Sequence, residues 1–263
     1  MVGELTAGGS LRGSEKGVMQ MNSSILIRQA CGDDTGALAR IYAYYVNQTA
    51  ITFEYTAPDA VEMERRRQEI SQHYPYLVAE LDGQVVGYAY AHAFYGREAY
   101  AWSVESSIYV DVNVRKHGIG RTLYKALEEA LKSMGILNIN ACIAIPRDED
   151  DPYVTYDSLN FHKHLGYILA GHLHHSGYKF DRWYDIVWME KMLGPHTIHP
   201  KFPAKNEVLT TSHCFFLGLR CGCAATDSGL YYDRVPFVIN SGCSQDSRRD
   251  ALRVVPYAIA YRR

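Results

Sequence analysis

Along residues 25 to 192, apolar positions alternate with polar ones or recur at helical spacing, in short segments separated by turn residues. Ile25–Ala30 reads as a strand. Asp33, Asp34 and Thr35 can cap a helix whose apolar residues Leu38, Ile41, Tyr42 and Tyr45 fall on one face. Residues 47–55 form a polar and aromatic loop. Pro58 suits the first turn of a second helix running to Gln72, whose Arg and Glu run reads as a solvated face. Tyr76–Leu81 and Gln84–Tyr90 flank Asp82-Gly83, the strongest short-range signal for a hairpin. A strand over Tyr100–Val110, a helix over Arg121–Met134 and a strand over Ile136–Ile145 follow. A helix over Tyr153–Leu165 then stops at Gly166, ahead of strands at Ile168–His174 and Asp185–Met192. This order mixes hairpins with strand-helix-strand units. It predicts one α+β domain with a mixed sheet of α/β type over residues 24–195.

The flanks differ. Residues 1–23, rich in Gly, Ser and charge, read as a disordered leader. Residues 196–263 read as an irregular C-terminal extension in which Cys214, Cys221, Cys223 and Cys243 cluster near His213. Their spacings lack paired Cys-x-x-Cys knuckles, so zinc is not expected there. His172-x-His174-His175 has no carboxylate close by in sequence, and no metal is expected at that run either. Hydrophobic residues at 47% and charged residues at 21% suit a globular core. A net charge of -2 gives no general attraction to nucleic acid or to an anionic membrane. No apolar run approaches the roughly 20 residues needed to span a bilayer. Six cysteines without a secretory signal predict a reduced, cytoplasmic protein.

The chemistry concentrates at Arg115-Lys116-His117-Gly118-Ile119-Gly120, between the apolar run Ser107–Val110 and a helix. Strand, glycine turn and helix aim free backbone N–H groups and the positive end of a helix dipole at one point, which suits a phosphate. Gly118 and Gly120 leave room for its approach. Leu123 excludes the third glycine of a dinucleotide fingerprint, and no Gly-Lys-Ser/Thr ends the loop as a P-loop would. The remaining pattern, (Gln/Arg)-x-x-Gly-x-(Gly/Ala), resembles the coenzyme A pyrophosphate loop of the GNAT N-acetyltransferases. Read without that resemblance, it is a strand-to-helix turn with two glycines.

Longer stretches carry a more specific resemblance. Tyr74–Gly83, Ala101–Val110, Phe161–Tyr167 and Gly177–Asp185 are together similar to the phosphinothricin and methionine sulfoximine acetyltransferases, over roughly residues 25–193 and in the same order. The resemblance implies a GNAT-like acyl-CoA N-acyltransferase fold, with a central mixed sheet flanked by helices. It implies acetyl transfer from acetyl-CoA to the primary amine of a small amino acid or analogue. It places Glu105 as the base that takes the amine proton. His162 falls where many members have the tyrosine that protonates the leaving thiolate, and it also fits a packed position over Leu159 and Leu165. Coenzyme contacts are expected at Ile108, Tyr109, Val110, Arg115, Lys116, His117, Gly118, Ile119, Gly120, Arg121 and Ser158. Acceptor contacts are expected at Phe53, Arg97 and Tyr100, where Arg97 could grip a carboxylate or phosphinate. A homodimer is the expected assembly.

Two positions depart from the family. Thr155 stands three residues before Ser158, where members usually have Asn, with the acidic run Asp148–Asp151 just upstream. Glu54 and Tyr55 follow Phe53 where herbicide-detoxifying members carry other residues. The alternatives left open are a non-catalytic acyl-CoA-binding module, and an acetyltransferase for a protein N-terminus or a polyamine.

Overall fold

The Asp82-Gly83 turn sets the register of the sheet. Both residues adopt positive φ (51° and 78°), the backbone of a two-residue hairpin, and join β2 (Tyr76–Leu81) to β3 (Gln84–Ala93). The computed structural model describes residues 25–114 and 118–204. The leader, Arg115, Lys116 and His117, and the cysteine-bearing part of the extension lie outside the described residues. β1 (Leu26–Gln29) pairs with β2, and β4 (Ser103–Val110) pairs with β3, both antiparallel. β5 (Asn138–Ile145) joins β4 in parallel, and β7 (Arg182–Met192) lies between β5 and β6 (Ile168–Lys179). The result is a mixed seven-stranded sheet of order β1-β2-β3-β4-β5-β7-β6.

Alternation along the strands sends two apolar sets to opposite faces. On one face, α3 (Ile119–Met134) lays Ile119, Leu123, Leu127 and Leu131 on Leu77, Ala89 and Val104, and α4 (Asp157–His164) adds Leu159 and Phe161. On the other, α1 (Thr35–Gln48) and α2 (Ala60–Ser71) cover a layer of tyrosines: Tyr42, Tyr45, Tyr76, Tyr88, Tyr90 and Tyr109. Tyr76 stacks on Tyr88 and Tyr90 at 5.7 and 4.8 Å, and Tyr109 takes Tyr42 edge-on at 4.9 Å. Much of the chain's tyrosine content is therefore core.

Several local expectations change in detail. Asp34 does not cap α1 with its side chain; it turns back to clamp Arg28, with Nη1–Oδ2 at 2.7 Å and Nη2–Oδ1 at 2.8 Å. The helix read over Tyr153–Leu165 begins only at Asp157, because Asp151 Oδ1 accepts from the amides of Tyr153 (2.8 Å) and Val154 (3.1 Å) and holds that stretch as a turn. One member of the acidic run is thus a structural acceptor. The charged face of α2 is not wholly solvated either. Arg66 reaches out to Glu54 at 2.6 Å and ties the helix to the loop after α1. Residues 196–204, read as the start of the extension, lie back on the domain. Trp102 Nε1 donates to Lys201 O at 2.9 Å, Phe202 meets the Trp102 ring, and Ala204 N donates to Met134 O at 2.8 Å.

Candidate active site

β4 and β5 run parallel but pair over three rungs only: Ser103 with Asn138, Val104 with Ile139, and Glu105 with Asn140. Beyond Glu105 the two strands part. β4 continues to Val110 and β5 to Ile145 with no rung between them, so the sheet opens into a wedge with Glu105 at its apex. Main-chain groups along the wedge need other partners. Tyr45 Oη supplies both at Val110, donating to its carbonyl at 2.5 Å and accepting from its amide at 3.3 Å. By the alternation of the antiparallel ladder, the N–H and C=O of Ile108 point the same way. Ile108 and Val110 thus line the wedge with backbone, whereas the Tyr109 side chain belongs to the tyrosine layer.

The wedge leads to the N-terminus of α3. Gly118 caps that helix in the left-handed region (φ 76°), and among the described residues a Cβ there would meet nothing within 4 Å. Gly120 differs: a Cβ would lie 3.1 Å from the Phe161 ring, so this glycine lets α3 pack on α4. The first-turn amides of Ile119, Gly120 and Arg121 have no partner within the helix. Among the described residues, that corner leaves its amides free to receive an anion such as a pyrophosphate. Gly118→Glu should weaken acetyl-CoA binding roughly 100-fold, since juxtaposed like charges cost several kcal/mol. Gly118→Asn, which tolerates positive φ, should leave it nearly unchanged. Calorimetry with both variants checks this, and equal affinities would remove the corner from the coenzyme site. A bulky change at Gly120 would instead disturb Phe161.

Glu105 faces the α1 and α2 side, directly opposite His92 on β3, with Glu105 Oε2 3.8 Å from His92 Nε2. Its side chain is 24% exposed. Burial raises its carboxyl above the usual range, and the charge of His92 opposes that rise. Cys142 on β5 is exposed on the same face of the sheet, and desolvation of its sulfur with the charge of Glu105 pushes the thiol up to about 12. It stays protonated near neutral pH and is no ready nucleophile. Trp188, paired with Cys142, meets Phe94 edge-on at 5.4 Å, and Tyr100 joins Phe94 and Tyr95 at the rim. Arg97 is exposed at the tip of the β3–β4 loop. His92, Cys142, Phe94 and Trp188 were not among the residues singled out in the sequence. Alternation would have put His92 and Phe94 on one face, but no local signal sets them opposite β4.

The loop after α1 is pinned from the β6–β7 hairpin. Lys179 Nζ, buried, donates to Thr49 O at 2.9 Å and Thr52 O at 2.8 Å. Tyr55 Oη donates to Tyr178 O. Gly177 leaves the space filled by the Phe53 ring, where a Cβ would come within 2.2 Å. Glu54 accepts from Tyr42 Oη and Arg66. Glu54 and Tyr55 thus shape the loop that carries Phe53.

His162 lies on the other face of the sheet and does not touch Glu105. It is 3% exposed. Nδ1 donates to Ser158 O at 2.7 Å, so in the neutral ring Nε2 accepts from Tyr124 Oη at 2.9 Å. Burial lowers its pKa and keeps it neutral, outweighing the bond to Ser158. Tyr124 Oη also lies 3.3 Å from Ser106 Oγ, which donates to Asn140 O at 3.1 Å beside the last β4–β5 rung. Ser158 contributes a carbonyl to this chain. Thr155 Oγ1 accepts from Asp157 N at 3.2 Å and helps start α4.

The chain resembles known proteins over this whole region. The family model "Acetyltransferase (GNAT) domain" matches residues 27–188. A phosphinothricin N-acetyltransferase of Streptomyces viridochromogenes is 32% identical over 63% of this chain and 86% of its own length. An L-methionine sulfoximine/L-methionine sulfone acetyltransferase of Pseudomonas aeruginosa is 30% identical over 65% of this chain and 96% of its own. Among solved structures, a GNAT superfamily phosphinothricin acetyltransferase from Sinorhizobium meliloti in complex with AcCoA is 34% identical, with a TM-score of 0.61 over 67% of this chain and 93% of that one. With the family model matched over more than half of its length, this chain belongs to the GNAT acetyltransferase family.

Proposed function

We propose that this chain transfers the acetyl group of acetyl-CoA to the primary amine of a small amino acid or analogue, of the phosphinothricin or methionine sulfoximine type. The observation that carries this is Glu105, a half-buried carboxylate at the apex of the wedge, on the sheet face that also carries Cys142 and Trp188. Acetyl-CoA supplies an activated acyl thioester. The backbone of Ile108 and the corner before α3 are the groups that would hold it, since Tyr45 Oη already takes both main-chain groups of Val110. Glu105 accepts the proton that the ammonium of the acceptor must lose, because only the free amine attacks. Direct attack fits a site whose cysteine remains a thiol. His162, neutral and bonded at both ring nitrogens, acts as a positioning residue: it orients Tyr124 and locks α4 onto α3. Phe53, Tyr100 and Arg97 border the acceptor side, with Arg97 within the loop that a carboxylate or phosphinate would approach.

Thiol release from acetyl-CoA, measured with phosphinothricin, methionine sulfoximine, common amino acids, an N-terminal peptide and a polyamine, tests the reading. Turnover should be fastest with the amino-acid analogues. Coenzyme binding with no turnover on any amine would make the chain an acyl-CoA-binding module instead, and preference for the peptide or polyamine would change the acceptor class.

We also propose a homodimer, placed where the family's coenzyme supply and reducing conditions coincide, in the cytoplasm. Its support is the edge strand β6, which with β7 leaves Ile168, Leu169, Leu173 and Trp183 exposed among the described residues. A sedimenting mass of one 29.7 kDa chain would remove it.

A further inference from the structure

We propose that His172, His174 and Asp185 form a binding site for a divalent transition-metal ion of the zinc class. The sequence holds no carboxylate beside the histidine run, but the β6–β7 pairing supplies one from across the hairpin. Leu173 pairs with Ile186 and Gly177 with Tyr184, so β6 spends more residues than β7 over this stretch and bulges. His175 turns into the left-handed region (φ 52°) within the bulge, and its amide donates to Asp185 Oδ1 at 2.9 Å. His172 and His174, two residues apart, then share the face of Asp185.

Asp185 Oδ2 lies 2.9 Å from His172 Nε2 and 2.9 Å from His174 Nδ1, and all three ligand atoms fall within 4.8 Å of one another. Tetrahedral zinc with bonds of about 2.0–2.2 Å holds its ligand atoms about 3.3 Å apart. The two Asp185–His pairs need open by only a few tenths of an ångström, and the two ring nitrogens, within 4.8 Å of each other, need close by no more than about 1.5 Å. Oδ1 is already satisfied by the His175 amide, with Arg147 Nε at 3.8 Å, which leaves Oδ2 to the ion. Asp185 is buried, whereas the side chains of His172 and His174 are 38% and 67% exposed, so an ion can enter and keep water in its remaining position. Two imidazoles with one carboxylate suit zinc, copper or nickel over calcium or magnesium. The ion would sit on the hairpin whose Gly177 and Lys179 hold the loop around Phe53.

The test is titration of the untagged, chelator-stripped full chain with ZnCl2 by calorimetry and with Co2+ by visible absorbance. One saturable equivalent is expected, with a cobalt spectrum free of a strong thiolate charge-transfer band. His172→Ala and His174→Ala should each weaken binding roughly 100-fold or more, beyond the 10–100-fold cost of losing even an outer partner. These variants leave the buried Asp185 in place, and their unchanged circular dichroism would show that they fold. No saturable zinc binding by the full chain, unchanged affinity in both histidine variants, or a thiolate-dominated cobalt spectrum would overturn the site.

Discussion

Glu105→Gln is expected to lower kcat by about 10²–10⁴-fold, the usual worth of a general base. The substitution keeps the size of the side chain and removes only its ability to take a proton. Acetyl-CoA affinity should barely move, because the coenzyme-holding groups are backbone beyond the apex. The pH profile makes the expectation sharper. A carboxyl raised by burial is less ionised at a given pH, so the acidic limb of kcat/KM in the wild type should lie above the ordinary glutamate value of about 4.3. In Glu105→Gln that limb should vanish, and the residual rate should climb as more acceptor amine is already deprotonated. His92 lowers the Glu105 pKa, so His92→Ala should move the wild-type limb to still higher pH. A Glu105→Gln enzyme with wild-type kcat at neutral pH would remove this residue from the chemistry.

Asp34→Ala should cost about 1–3 kcal/mol of stability, the penalty for leaving buried donors of Arg28 without their partner. Arg28 and Asp34 are 9% and 4% exposed and share two bonds in a fork. Arg28 Nε also meets Glu80 at 3.0 Å, and Cys31 N donates to Asp34 Oδ2 at 2.8 Å. Loss of Asp34 thus unties β1 from the entry to α1 and leaves the guanidinium with a single carboxylate. At about 2–4 °C per kcal/mol for a domain of this size, melting should fall by roughly 2–12 °C. Asp33→Ala, one residue away and exposed, should change stability by no more than about 0.5 kcal/mol. The sign with pH follows from the folded state. Burial pushes the Asp34 carboxyl up, but the bonds from Arg28 and the Cys31 amide outweigh it and the net shift is downward. The stabilisation is therefore complete above the unfolded value of about 3.9 and is lost as pH falls through the lower folded value. Thermal melts from neutral to acid pH should show this decline in the wild type and less of it in Asp34→Ala. Equal melting temperatures at neutral pH would show that the clamp contributes nothing.

The order of strands and helices was legible because each element carries its own period and its own stop. Asp82-Gly83 between β-type runs reads as a hairpin, and Gly166, at positive φ, ends its helix as the sequence suggests. Family motifs brought Glu105 and the turn before α3 into view. The wedge was not legible. It is an absence of pairing between β4 and β5, and nothing local in Ser106–Val110 announces that the neighbouring strand departs. His162 fitted both a chemical and a packed position, since helical spacing shows that a residue faces inward but not which atoms its ring nitrogens meet. Asp34 satisfied a capping pattern, yet a buried arginine from β1 competes for a carboxylate more strongly than a helix amide does.

The position of β7 bears on the chain as it is being made. The last strand of the described domain is not an edge; it enters between β5 and β6. Until it emerges from the ribosome, β5 presents a bare row of donors and acceptors, and β6 has no neighbour in the sheet. A chain that stops short of residue 182 therefore loses the strand that joins two parts of the sheet. What it leaves behind is an open template for pairing with other nascent chains, so premature termination there should yield aggregates and no trimmed enzyme.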